Sequence, residues 1–218
     1  MTTKKIYQIA IDGPSGAGKS TIARLVAQKL GIDYIDTGAM YRALGLKMLR
    51  QGLPMTEDAR LLAMLADTDI DFAGGRVYLD GEDVSDLIRT QEISKAASDC
   101  SAFAAVRKKL VELQQKMAGA KSVIMDGRDI GTVVLKDAPY KYYLTASDEE
   151  RAMRRYRELA AKGAPQTYEE VLAQIRQRDY NDTHRAVTPL RKADDAVEID
   201  STAMRMEEVV DFICGQIA

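Results

Sequence analysis

The chain has 218 residues, of which 46% are hydrophobic and 29% charged, and these values are typical of a globular protein. The formal net charge of −2 excludes a general attraction to nucleic acid or to an anionic membrane, so an anionic ligand must be held by local positive charge. Cys100 and Cys214 have the spacing of neither a disulfide framework nor a zinc site. With no signal, transit or transmembrane pattern, we expect a cytoplasmic protein.

Strands and helices are predicted to alternate along most of the chain. Apolar strand runs lie at 6–11, 34–35, 122–125, 141–144 and 196–199. Helical spacing is found at 19–30, 37–49, 57–66, 92–101, 105–117, 147–162, 168–180 and 207–213. We expect Thr37 and Thr56 to cap the helices that follow them, and Ser147 or Asp148 to cap the helix of 147–162.

Residues 70–72 and 77–79 interrupt this alternation as short antiparallel strands joined by glycine turns. The remainder predicts an α/β fold of the P-loop NTPase class, with a mainly parallel five-stranded sheet covered by helices on both faces. Ligands of such sheets bind beyond the carboxyl ends of the strands. Those ends carry Asp12, Asp36, 126–129 and Asp200.

A phosphate-binding loop follows the first strand. Residues 13–20 match GxxxxGK[ST] between a strand and a helix, the context that this motif requires, and they are Gly13, Pro14, Ser15, Gly16, Ala17, Gly18, Lys19 and Ser20. Glycines let backbone N–H groups turn toward phosphate oxygens, where the helix N-terminus adds a favourable field. We expect Lys19 to reach the β- and γ-phosphates of ATP, Ser20 to bind Mg²⁺, and Thr21 to complete the ATP-binding segment.

The loop alone does not distinguish a kinase from a switch or a motor. The strand of 122–125 is followed by Asp126, as in motors and switches that hold Mg²⁺ with such an aspartate. The residues leave two interpretations of Asp126 open, a metal ligand or a carboxylate that orients its neighbours.

Arginines are dense near the carboxyl-terminal third of the chain: Arg151, Arg154, Arg155, Arg157, Arg176, Arg178, Arg185 and Arg191. Phosphoryl transfer spreads negative charge over equatorial oxygens, and a positioned guanidinium stabilises that charge at any relevant pH. On the helix of 147–162 each arginine could equally be a solvated surface residue, since Glu150 and Arg154 form an ordinary i,i+4 pair.

Arg178, Asp182 and Arg185 are spaced by four and three residues. They would share one helix face if the helix continues, and such a face could bind a sugar hydroxyl and a phosphate. Pro189 would stop the helix, and Gly163 with Pro165 would bound the mobile connection that a closing lid requires.

Five further segments carry a family resemblance: 36–42, 81–85, 89–92, 126–133 and 185–190. Together with the phosphate loop they resemble the bacterial cytidylate kinases, a branch of the nucleoside monophosphate kinases, over nearly the whole chain. The resemblance implies transfer of the ATP γ-phosphate to CMP or dCMP with Mg²⁺. It also implies a monomer, and the net charge of −2 favours neither a nucleic-acid polymer nor a membrane as partner.

The resemblance also implies residue roles and regions. The catalytic residues would be Lys19, Arg128, Arg185 and Arg155, and ATP would be met by Arg151, Arg154 and Arg155. The acceptor phosphate would be held by Arg42, Arg128 and Arg185, and cytosine would be read by Ser98, Arg107 and Asp129. The sugar would be contacted by Arg178 and Asp182, and the acceptor site would be lined by Thr37 and Tyr41. One domain would comprise a core (1–36, 118–147 and 193–218), a monophosphate-binding region (37–117) and a lid (148–192). Another small-molecule kinase, a P-loop switch and a nucleic-acid motor are the competing interpretations.

Overall fold

The computed structural model describes residues 6–119, 121–161 and 163–217. The chain divides into two compact units, which we name the core unit (Met1–Tyr34 with Lys121–Ala218) and the inserted unit (Ile35–Ala120). No helix among the described residues is long and apolar enough to cross a membrane.

The elements follow one another in the predicted alternation. The strands are β1 (Gln8–Asp12), β2 (Asp33–Asp36), β3 (Ile70–Ala73), β4 (Arg76–Leu79), β5 (Glu82–Asp83), β6 (Val123–Gly127), β7 (Tyr140–Thr145) and β8 (Val197–Asp200). The helices are α1 (Lys19–Leu30), α2 (Thr37–Arg50), α3 (Ala59–Ala66), α4 (Gln91–Cys100), α5 (Ala104–Gly119), α6 (Asp148–Ala161), α7 (Tyr168–His184) and α8 (Met206–Gly215).

The central sheet has the strand order β2-β6-β1-β7-β8. Strand β1 pairs in parallel with β6 and β7, and β7 pairs in parallel with β8, so the predicted five-stranded sheet is confirmed. Asp12 lies level with Gly127 on one side and Tyr143 on the other. This register brings the phosphate loop and the segment after β6 to the same edge of the sheet.

The sheet is buried under helices because its central strands carry apolar side chains on both faces. Ile9, Ile11, Ile124 and Leu144 are fully buried and pack in one cluster with residues of α1 and α8. Each such side chain contributes about 1.5–3 kcal/mol to folding. A rigid scaffold of this kind holds the loops at the strand ends in place.

Helices α6 and α7 form a second hydrophobic cluster of the core unit. Ala152 and Leu159 of α6 pack with Val171 and Ile175 of α7. The ring centroids of Tyr156 and Tyr168 lie 6.3 Å apart in an edge-to-face arrangement. Aromatic pairs prefer this arrangement to face-to-face stacking. The two helices that carry most of the dense arginines are therefore held together by their own apolar side chains.

The inserted unit combines helices with a small antiparallel sheet in the order β3-β4-β5. Strands β3 and β4 pair around the turn at Gly74 and Gly75, as predicted, and β5 is an additional strand that the sequence analysis did not identify. Helices α2 and α4 approach closely at Gly45, where a Cβ would lie 3.0 Å from the backbone nitrogen of Ala97.

Two local predictions about helix caps are wrong. Asp36, not Thr37, caps α2, since its carboxylate accepts the Ala39 N–H at 2.8 Å. Asp58, not Thr56, caps α3 by accepting two backbone N–H groups. An aspartate carboxylate competes successfully with a nearby threonine for the free N–H groups of a first turn.

Helix α7 ends at His184, so Arg185 lies just beyond it in an extended conformation (φ −63°, ψ 143°). Ser147 accepts the Glu150 N–H at 3.2 Å, which confirms it as a cap of α6. The predicted end of α6 at Lys162 lies outside the described residues. Ile130–Val134 forms a π-helical turn that was not predicted.

Candidate functional site

The phosphate loop leaves β1 at Gly13, where the chain passes against β7. Gly13 has φ of 149°, and a Cβ at this position would lie 1.9 Å from the Leu144 carbonyl oxygen. Only glycine can therefore start the loop in this way. The loop continues through Pro14 and Ser15 to Lys19 at the first position of α1, with Ser20 and the exposed Thr21 in the same turn.

Lys19 is buried, with 5% of its surface exposed. Its Nζ donates a hydrogen bond to the Pro14 carbonyl at 2.7 Å. Burial, followed by the charge of Arg128, lowers the pKa of Lys19 to about 7. A triphosphate beside this amine would favour the charged form, because an opposite charge raises the pKa of an ammonium group.

A small set of hard oxygen atoms lies where α1 begins and β6 ends. The Ser20 hydroxyl donates to Asp126 Oδ2 at 2.9 Å, and the Tyr34 hydroxyl donates to Asp126 Oδ1 at 2.7 Å. Asp126 is itself buried. A serine hydroxyl beside a carboxylate suits Mg²⁺, which takes few protein oxygens and completes its shell with water and phosphate. These residues therefore fit the expected cation.

Asp12, the last residue of β1, joins the phosphate loop to the segment after β6. Its carboxylate accepts the backbone N–H groups of Ile130 at 2.8 Å and Gly131 at 2.7 Å. Burial raises the pKa of Asp12 to about 6, although both hydrogen bonds lower it. Through these bonds Asp12 fixes the π-helical turn that follows Arg128 and Asp129.

Four predicted substrate residues gather around Asp182. Arg128 Nε donates to Asp182 Oδ2 at 2.7 Å, and an Arg185 guanidinium nitrogen lies 4.0 Å from Asp182 Oδ1. Arg185 also lies 4.0 Å from Asp129 and donates to the Thr188 carbonyl. Burial would raise the pKa of Asp182, but the charges of Arg128, Arg178 and Arg185 together lower it. Arg178 is exposed on α7.

The three arginines predicted to meet ATP lie in different environments. Arg151 is 3% exposed, and its guanidinium donates to the Ser15 and Ala146 carbonyls and to Asp148 and Asp179. Arg154 is half-buried and donates to Glu150 and to the Ser201 carbonyl. Arg155 is exposed and pairs with Glu158 at 3.0 Å. The structure therefore does not gather them at one point.

Five predicted acceptor residues lie in the inserted unit. Arg42 donates to Asp36 at 3.1 Å, and the Arg107 guanidinium lies 5.8 Å from the centre of the Tyr41 ring. Arg107 is buried and also donates to the Ser101 carbonyl. Two further positions are the buried Thr37 at the start of α2 and the half-buried Ser98 in α4.

Nearly the whole chain matches one family. A family model described as cytidylate kinase covers residues 9–218. The chain is 53% identical to the cytidylate kinase of Clostridium acetobutylicum over 96% of its own length and 97% of that protein. It is 54% identical to the cytidylate kinase of Caldicellulosiruptor saccharolyticus over 95% of this chain and 93% of that one.

The chain belongs to the cytidylate kinase family. The resemblance drawn from the motifs is thereby confirmed. Among solved structures, a shikimate kinase from Bacteroides thetaiotaomicron is similar with a TM-score of 0.51 and 12% identity, covering 98% of this chain and 99% of that one. A likeness at that identity supports the P-loop kinase fold alone.

Three carboxylates of this cytidylate kinase family member were not among the predicted site residues. They are Asp12, which holds the turn after Arg128; Asp36, which holds Arg42; and Asp179, which holds Arg151. Asp12 and Asp36 do carry a sequence signal, since each ends a predicted strand. Asp179 carries none, because its partners are 28 and 164 residues away along the chain.

Proposed function

We propose that this protein transfers the γ-phosphate of ATP to CMP or dCMP and releases ADP with the corresponding diphosphate. The observation that carries the proposal is the accumulation of positive charge beside the phosphate loop. Burial lowers the pKa of Lys19 most, the positive charges of Arg128 and Arg178 lower it further, and the carboxylates of Asp126 and Asp182 raise it. Such a cluster of cations is suited to phosphate groups on both a donor and an acceptor.

On the donor side, we propose that residues 13–21 hold the phosphates of ATP. Lys19 would exchange its bond to the Pro14 carbonyl for phosphate oxygens. Ser20 and Asp126 would hold Mg²⁺, directly or through water. When bound, Mg²⁺ neutralises charge on the β- and γ-phosphates. Arg154 and Arg155 are proposed to approach ATP from α6.

On the acceptor side, we propose that Arg128, Arg185 and Arg42 hold the phosphate of CMP. Arg178 and Asp182 would contact the sugar, where the charged Asp182 carboxylate can accept hydrogen bonds from hydroxyl groups. The cytosine would be read by Ser98, Arg107 and Asp129. Thr37 and Tyr41 would line the acceptor site.

The reaction needs little general base catalysis. An oxygen of the acceptor phosphate is already anionic at neutral pH, so it can attack the γ-phosphorus while the bond from that phosphorus to the ADP oxygen breaks. The arginines and Lys19 would stabilise the charge that spreads over the transferred group. His184, which is exposed on α7, is therefore given no role as a base.

A coupled assay of ADP release tests the proposal. CMP, dCMP, UMP, AMP and GMP are each supplied with ATP and Mg²⁺, and we expect CMP and dCMP to give the highest kcat/KM. Failure of both cytidine nucleotides to stimulate ADP release would refute the proposal. Slow hydrolysis without an acceptor would favour a P-loop switch, and stimulation by DNA or RNA would favour a motor. Cytoplasmic location, the monomeric state and the lid of 148–192 stay predictions.

A further inference from the structure

The tip of the phosphate loop is held by side chains from α6 and α7. The Ser15 N–H donates to Asp179 Oδ1 at 3.3 Å, and the Ser15 carbonyl accepts from Arg151 Nη1 at 2.8 Å. Arg151 Nη1 also donates to Asp179 Oδ2 at 2.5 Å. Ser15, Arg151 and Asp179 therefore close a ring of three hydrogen bonds, in which both backbone polar groups of Ser15 are bound.

This ring is enclosed by tight packing. The side chain of Arg151 is 4% exposed and that of Asp179 is 19% exposed. At Gly16, a Cβ would lie 3.2 Å from Arg151 Cβ and 3.6 Å from Ile175 Cδ1. The loop tip thus rests directly on the surface where α6 and α7 meet.

Arg151 cannot reach elsewhere without losing these bonds. Its Nε donates to the Ala146 carbonyl at 2.9 Å and its Nη2 pairs with Asp148. All three nitrogens of the guanidinium are thus bound to protein oxygens. A planar guanidinium with this many fixed donors acts as a rigid spacer between backbone and carboxylate.

We propose that Asp179 is a positioning residue of the phosphate loop, which it holds in the conformation that receives ATP through Ser15 and Arg151. Arg151 acts with Asp179 by donating a hydrogen bond to the Ser15 carbonyl of the loop. Because Asp179 lies between Arg178 and Asp182 on α7, the helix that carries both proposed sugar contacts also binds the loop through Asp179. This inference rests on the proposed function and assigns to it residues that do not touch the reacting atoms.

Asp179→Ala tests the proposal in the full chain. It removes the acceptor for the Ser15 N–H and the partner of Arg151, so the loop tip can shift. Because a misplacement of about 1 Å can cost about 10²-fold in rate, we expect kcat/KM for ATP to fall roughly 10- to 100-fold. The KM for CMP should change less than about threefold, since the Asp182 cluster keeps its own partners. Dissociation constants for a fluorescent ATP analogue should rise in parallel.

Two conservative variants separate positioning from general support. Asp179→Asn keeps one acceptor oxygen, so its loss should be clearly smaller than that of the alanine variant. Arg151→Lys keeps the charge but cannot bond Ser15 and Asp179 in the same fixed geometry, and it should show the same ATP-selective loss. Glu169→Ala on α7 and Arg157→Lys on α6 alter exposed residues and serve as matched controls.

The outcomes are distinct. An Asp179→Ala protein with wild-type kinetics for ATP would overturn the inference. Equal rises in the KM for ATP and the KM for CMP, accompanied by a lower melting temperature, would also overturn it. Should the alanine variant fail to fold, the same criterion is applied to Asp179→Asn and Arg151→Lys. If the wild-type chain phosphorylates neither CMP nor dCMP, the proposed function is refuted, while affinity for the ATP analogue still tests the role of Asp179.

Discussion

Replacing Gly13 by alanine should disable ATP use while leaving the fold intact. The added Cβ would lie 1.9 Å from the Leu144 carbonyl oxygen, and it must retreat by about 1.1 Å to reach the 3.0 Å that real Cβ contacts respect. Leu144 is fully buried in β7 and lies level with Ile199 of β8, so the strand cannot yield. The phosphate loop must move instead.

A displacement of that size is large for catalysis. A shift of about 1 Å in a reacting group can cost about 10²-fold in rate, so kcat/KM for ATP should fall about 100-fold. The positive φ of Gly13 adds a strain of about 1–3 kcal/mol for an alanine, which should lower the free energy of unfolding by that amount. Coupled ADP release at varied ATP and urea unfolding measure the two effects.

Gly31→Ala provides the matched control. Gly31 also has a positive φ, of 63°, at the end of α1, but a Cβ there would meet nothing within 4 Å. It should lose about 1–2 kcal/mol of stability and keep its activity. If Gly13→Ala retained a kcat/KM for ATP within threefold of the Gly31→Ala protein, the steric argument would be wrong.

Three further measurements address individual groups. Because the pKa of Lys19 is about 7 in the free protein and a bound triphosphate favours its charged form, the Kd for ATP should rise up to about tenfold per pH unit above pH 7, and Lys19→Met should abolish this dependence. Arg185→Ala should lower kcat/KM for CMP by about 10²–10³ with little change in the KM for ATP, whereas the exposed Arg191→Ala should match wild type. Asp126→Ala should raise the Mg²⁺ concentration for half-maximal activity about 10- to 100-fold, and an unchanged Mg²⁺ titration would rule out this role for the carboxylate.

The parts of the fold that depend on local patterns could be predicted from the sequence. The sheet was predicted from apolar runs such as those of β1 and β6, and the phosphate loop from the glycine-rich motif at 13–20. Both predictions succeed because periodicity and motif context are properties of neighbouring residues. The clusters of site residues depend more on contacts between residues that are distant along the chain. Arg178, Asp182 and Arg185 share a neighbourhood as their spacing predicted, although Arg185 lies beyond the helix end.

Other features could not be predicted because they depend on distant partners. The family resemblance implied that Arg151, Arg154 and Arg155 would all meet ATP. The contacts with Ser15, Ala146, Asp148 and Asp179 that surround Arg151 could not be predicted from it. The π-helical turn after Asp129 likewise depends on Asp12, which precedes it by more than a hundred residues. Sequence periodicity contains no information about such pairings.

The bonds from Asp12 to Ile130 and Gly131 have a consequence for protein engineering. The phosphate loop and the segment that carries Arg128 cannot be exchanged as independent modules, since the carboxylate of Asp12, the residue immediately before the loop, anchors that segment. A chimera that imports residues 127–134 from another kinase must therefore keep a carboxylate at position 12 and place the backbone N–H groups of positions 130 and 131 within reach of it. Loop-swapping experiments that ignore this pairing should produce folded proteins in which Arg128 is misplaced.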